Sequence, residues 1–160
     1  MTKLLLAIHV LAAIIAIGPV TVAASMYPAT TRRADLPTLR TLHRICRVYA
    51  ALGMLVPVFG LATASSLGVL ADAWLLVSIA LTLVAAAILA LLVLPRQATV
   101  LAALAGESPA TGTGDATGAA SSGHLAAQAQ RLAMVTGMFN LLWAVVVVLM
   151  IARPGSTTGA

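Results

Sequence analysis

The stretch that decides the fold is residues 4–26, which read LLLAIHVLAAIIAIGPVTVAASM. The run contains no Asp, Glu, Lys or Arg, and His9 is its one ionisable group. A helix of about 20 apolar residues is long enough to cross the ~30 Å hydrocarbon core of a bilayer. No water reaches that core, so the backbone must satisfy its own hydrogen bonds, as a helix does. Residues 4–26 therefore predict a membrane-spanning helix.

Three further runs share this character, at residues 48–71, 73–94 and 132–152. Charged residues make up 8% of the 160-residue chain, against roughly 25% in soluble domains. The fold class we predict is all-α, an integral membrane four-helix bundle forming one domain over residues 1–160. Only a few residues around Asp72 join the second and third runs, which we expect to be antiparallel neighbours. The first run is longer than the roughly 7–15 apolar residues of a signal-peptide core, so we expect it to be retained.

Prolines mark several places where these helices are expected to bend or end. Pro19 and Pro57 lie inside the first two runs and are expected to interrupt them, since proline leaves a carbonyl without its donor. Pro95 and Pro154 follow the third and fourth runs, where a helix usually stops or kinks. Trp74 opens the third run and suits an interfacial anchor.

The distribution of positive charge predicts the orientation of the chain. With four spans, the first and third loops lie on one side of the membrane, and both termini lie on the other. The first and third loops with their flanks hold Arg32, Arg33, Arg40, Arg44, Arg47, Arg96 and Arg131, whereas the opposite side holds Lys3 and Arg153. Because basic residues concentrate in cytoplasmic loops, we expect both termini outside.

The two basic loops differ in character. Residues 106–123 are rich in Gly, Ala, Ser and Thr and lack apolar periodicity, which predicts a flexible cytoplasmic loop, with His124 solvated at its end. In the first loop, Asp35 is a suitable N-cap. A helix can begin at Leu36 and run directly into the second span.

Four basic residues at the start of this helix share one face, namely Arg40, His43, Arg44 and Arg47, which are spaced three and four apart. One interpretation is an anchor whose arginines reach the phosphates of anionic lipids. The other is a binding site for an anionic cytoplasmic ligand.

His9 is the candidate functional residue within the spans, because ionisable groups there are costly. His43 lies on the order of 25 Å away at the other end of the bundle, so the two histidines cannot share a metal. Met150 lies at a depth similar to that of His9, and a His/Met pair can ligate haem iron or copper. The simpler interpretation is packing, since a neutral histidine often hydrogen-bonds a neighbouring helix.

Other chemistries have little support in the sequence. The single Cys46 excludes an internal disulfide and a CxxC motif. The sequence has no basic patch interleaved with aromatic residues, so nucleic-acid binding is not predicted. The spans contain no paired carboxylates and no nucleophile beside a base, so hydrolytic chemistry is not predicted.

Three features of the chain occur together: the opening Leu4–Leu11 with its early histidine, the arginine-rich start of span two, and the ending Leu149–Gly155. In these features the chain resembles a bacterial family of small predicted integral membrane proteins of unknown function. More distantly, the layout is similar to the CopD and HemJ group, which is tied to copper or haem chemistry. That group has aromatic and Gly-rich residues after its first histidine, whereas residues 12–18 here read AAIIAIG.

We therefore expect a non-enzymatic structural or accessory subunit of a bacterial plasma membrane, with the lipid bilayer, its anionic headgroups and a second copy or another membrane protein as partners. The first alternative is a haem- or copper-binding redox protein that uses His9. The second is a small transporter or channel.

Overall fold

The computed structural model describes residues 2–106 and 118–155, without the side chains of residues 118–122 and 124. This part of the chain is all-α, with no strand. The helices are α1 (Thr2–Arg32), α2 (Leu36–Gly53), α3 (Leu55–Leu67), α4 (Ala73–Ala87), α5 (Leu94–Leu104) and α6 (Gly118–Ala152), and a π-helical segment, Ile88–Val93, connects α4 to α5.

These elements form four rods, each long and apolar enough to cross a membrane, within the described residues. The rods are α1, α2 with α3, α4 through α5, and most of α6. The end of α1 and the start of α2 lie at one end of the bundle, together with the end of α5 and the start of α6, and this end is called here the arginine end. The first residues, the connection 68–72 and the end of α6 lie at the other, called here the terminal end.

The start of the second rod follows the prediction. Asp35 caps α2 by accepting a hydrogen bond from the backbone N–H of Thr38 at 3.2 Å, and its other carboxylate oxygen accepts one from the Thr38 hydroxyl at 2.6 Å. These hydrogen bonds, more than the charge of Arg33, lower the pKa of Asp35. The helix then runs from Leu36 into the apolar region, as predicted.

The prolines act differently from the expectation in two places. The second rod is interrupted at Met54, three residues before Pro57, as predicted. However, α1 passes through Pro19 without interruption, and the third rod continues beyond Pro95 to Leu104. Proline fits the first turn of a helix, and Pro95 occupies that position in α5 after the π-helical segment. The third helix is therefore longer than residues 73–94.

The predicted flexible loop 106–123 is also shorter than expected. Helix α6 already begins at Gly118, so the last residues of the predicted loop belong to the helix. Residues 107–117 and the side chain of His124 lie outside the described residues.

The bundle is tightly packed at the arginine end and open at the terminal end. Its main core joins α1, α2, the π-helical segment, α5 and α6 and includes Tyr27, Leu39, Cys46, Val93 and Phe139. The core of the terminal end is small and contains Ala64, Trp74 and Leu75. The second and third rods touch at both ends, since Ala64 of α3 packs with Trp74 and Leu75 of α4 beside the short connection, and α2 packs against α5 at the arginine end. Between these two places α3 and α4 have few direct contacts, and a cavity lies there.

Candidate functional site

The opening at the terminal end is a cavity of about 1220 Å³ between α1, α3, α4 and α6, called here the His9 cavity. Its walls are largely apolar and are built by residues such as Ile14, Leu61, Leu83 and Val147. Ligand pockets usually measure about 300–1,000 Å³, so there is room for a large molecule.

His9 lies in the wall of this cavity and is held by α3. Its Nδ1 atom is 2.9 Å from the carbonyl oxygen of Val56. A carbonyl can only accept, so Nδ1 carries the proton, and the lone pair of a neutral ring is on Nε2. A histidine that ligates a metal is usually oriented by such a bond from its other nitrogen.

Gly60 makes this position possible. A Cβ atom at residue 60 would lie 2.9 Å from His9 Cε1 and 3.2 Å from His9 Nδ1. Any side chain there would displace the imidazole, so the glycine provides the surface on which the ring rests. The absence of a side chain at Gly60 thus makes room on α3 for a histidine ring.

Met150 lines the same cavity, so the structure brings the two predicted cofactor residues to one site. It packs beside the small core of Ala64, Trp74 and Leu75. Among the described residues, no three His, Cys, Asp or Glu side chains are grouped so that they could hold a metal ion. A free copper ion would therefore depend on His9 and Met150, whereas a porphyrin brings four nitrogen ligands of its own.

The C-terminal end of α6 contributes a positive charge at the cavity. Arg153 lies in the left-handed region, with φ of 41°, and its guanidinium carbon is 5.7 Å from the centre of the Trp74 ring. The Trp74 indole donates a hydrogen bond to Asp72 at 3.0 Å. Trp74 is 7% exposed, so it is part of this cluster and not the lipid-facing anchor that its position suggested.

A second site lies at the arginine end, where α2 meets α5. The four predicted residues Arg40, His43, Arg44 and Arg47 line one pocket of about 400 Å³. Val48, Ala51 and Leu101 form the rest of its wall. We call this the basic pocket. It shares no lining residue with the His9 cavity.

The residue that positions His43 was not predicted from the sequence. The fully buried Gln97 of α5 accepts a hydrogen bond from His43 Nδ1 at 3.0 Å and donates one to Cys46 Sγ at 3.6 Å. Its backbone carbonyl accepts a 2.8 Å bond from the Tyr27 hydroxyl. The one available signal was a glutamine directly after Pro95-Arg96, where the sequence predicted that the helix stops.

Comparisons with known proteins found no match, whether with a family model, a curated protein or a solved structure. The resemblance drawn from the sequence therefore stays a prediction.

Proposed function

We propose that this chain is a multi-pass integral membrane protein of the bacterial plasma membrane, with four spans and both termini outside. The support is the large apolar surface that each rod turns outward. Outside the His9 cavity, Ile15 is 59% exposed, Val58 61%, Leu91 70% and Leu141 67%, one residue on each rod. A soluble bundle buries its apolar stripe and exposes polar residues, whereas lipid tails accept apolar side chains on every face.

The lengths of the rods support the same proposal. Helices of 28 to 32 residues measure roughly 42–48 Å at ~1.5 Å per residue, more than the ~30 Å of hydrocarbon. In the second rod the extra length lies at the arginine end, where charged side chains can reach the cytoplasmic headgroups.

The orientation can be tested with single cysteines on a Cys46→Ala background. A cysteine at Thr2 is expected to react with a membrane-impermeant maleimide in intact cells, and one at Arg33 only after permeabilisation. The opposite pattern would refute the orientation. Extraction of the protein by alkaline carbonate, without detergent, would refute the membrane assignment itself.

We further propose that the protein is a non-enzymatic accessory subunit that binds haem in the His9 cavity. The observation that carries this proposal is the orientation of His9, whose Nδ1 donates to Val56, so that Nε2 would be the atom that binds the haem iron. Met150 and Arg153 line the same cavity; Met150 would be a further ligand of the iron, and Arg153 would pair with a propionate. Haem would supply one-electron redox chemistry there.

We prefer this role to the predicted transporter, because the cavity walls are largely apolar and offer a solute few polar contacts. We prefer haem to copper because His9 and Met150 give few donors for a free ion. The cavity therefore suits a large flat molecule that needs one or two bonds from the protein.

The test is the absorption spectrum of the purified full-length protein after expression with a haem precursor. We expect a Soret band that is lost in His9→Ala and shifted in Met150→Leu, with no change in His43→Ala. A spectrum without a Soret band, or one unaffected by His9→Ala, would refute haem binding at this site. The membrane assignment would not be affected by that result.

A further inference from the structure

We propose that the basic pocket binds the phosphate headgroup of an anionic phospholipid, with the first carbons of an acyl chain against its apolar wall. The pocket is separate from the His9 cavity, and this inference does not depend on haem.

The arginines of the basic pocket have no carboxylate partners within the described residues. The acidic residues in the described part of the chain are Asp35 and Asp72. Asp35 is bonded to Thr38 and Asp72 to the Trp74 indole. The positive charge of the pocket is therefore not neutralised by these groups and can attract an anion.

The geometry of α2 places these charges together. Arg40, Arg44 and Arg47 follow one another at spacings of four and three, so they lie along one face over roughly 10 Å at ~1.5 Å per residue. Arginine presents its N–H groups in a planar fork that matches phosphate oxygens. Several such forks around one space form a phosphate site, whereas a single arginine at an interface does not.

His43 lies between the arginines and is held in place. Its Nδ1 donates to Gln97, whose own side chain and backbone carbonyl are bonded to Cys46 and Tyr27. This buried network fixes one wall of the pocket. A site with one rigid wall loses less conformational entropy on binding than a set of free side chains.

The other part of the wall indicates which phosphate compound fits. Val48, Ala51 and Leu101 are apolar, and from Val48 to Ala71 the chain carries no charge. The pocket therefore spans the change from the charged start of α2 to its apolar continuation. A free phosphate would use only the charged part, whereas a phospholipid would use both parts. An anionic phospholipid is the occupant that matches the whole pocket.

The test uses the full-length protein in detergent micelles, with equal amounts of phosphatidylglycerol and phosphatidylcholine, and native mass spectrometry to count bound lipids. We expect phosphatidylglycerol to be retained over phosphatidylcholine. Because each basic residue near an anionic lipid contributes about a fivefold effect, Arg44→Gln should reduce the retained phosphatidylglycerol roughly fivefold. Arg96→Gln is the matched control, since this exposed arginine of α5 lies outside the pocket.

Two further measurements distinguish a lipid-binding pocket from nonspecific attraction by positive charge and from a site for a free anion. Ala51→Phe leaves every charge unchanged but fills the apolar part, and it should also reduce phosphatidylglycerol retention. Inorganic phosphate at millimolar concentration should not displace the lipid. Equal loss in Arg96→Gln and Arg44→Gln, unchanged retention in Ala51→Phe, or displacement by phosphate would each refute the proposal.

Discussion

Gly60→Ala tests the contact on which the His9 cavity depends. In the structure the new methyl group would lie 2.9 Å from His9 Cε1 and 3.2 Å from Nδ1, closer than atoms of side chains normally approach. The imidazole must move, and its hydrogen bond to Val56 is expected to break. An alanine in place of a glycine by itself favours a helix. The displaced imidazole and the broken hydrogen bond would both come from the contact with His9.

The expected magnitude combines three effects. Overpacking costs about 1–3 kcal/mol, and the lost hydrogen bond costs about 1 kcal/mol. Alanine recovers about 0.8–1 kcal/mol as the better helix former. The free energy of unfolding should therefore fall by about 1–3 kcal/mol, if the three effects are taken as additive.

The assay is denaturant unfolding in detergent, followed by circular dichroism. Gly137→Ala is the matched control, because a Cβ there would meet no other part of the described chain within 4 Å beyond its own helix backbone, and it should be neutral or slightly stabilising. In a His9→Ala background, Gly60→Ala should lose its cost, since the ring that it displaces is absent. Equal effects of Gly60→Ala with and without His9 would show that the ring does not rest on Gly60.

Three other predictions concern single interactions. Tyr27→Phe removes the hydroxyl that donates to the Gln97 carbonyl and should lower the free energy of unfolding by about 1 kcal/mol; an unchanged value would contradict the bond. The Thr136 hydroxyl is buried and has no hydrogen-bond partner among the described residues, so Thr136→Val should raise the unfolding midpoint, and a lower midpoint would contradict its unpaired state. Asp35 has a lowered pKa in the folded protein, so its cap stabilises fully above the ordinary aspartate pKa of about 3.9 and is lost as pH falls through the folded value. Asp35→Ala should therefore reduce stability at pH 7, measured by thermal unfolding, and much less at pH 2.

The sequence by itself determined the features that depend on local composition and spacing. The length and apolar character of the runs predicted four long helices and an all-α fold, because the backbone hydrogen bonds of a helix are made within the segment. The N-cap at Asp35 and the shared face of Arg40, Arg44 and Arg47 were also predicted, because each depends only on residues three to seven positions apart.

The tertiary structure decided which helix faces meet. A helix that is apolar on all sides has no stripe to mark its partner, so the cavity between α1, α3, α4 and α6 could not be predicted from the runs. Contacts across 47 residues, such as His9 with Val56, and across 54 residues, such as His43 with Gln97, depend on that packing. The sequence identified His9 and the basic face, but only the packing of the rods placed His9 against Gly60 beside a cavity and gave the basic face an apolar wall.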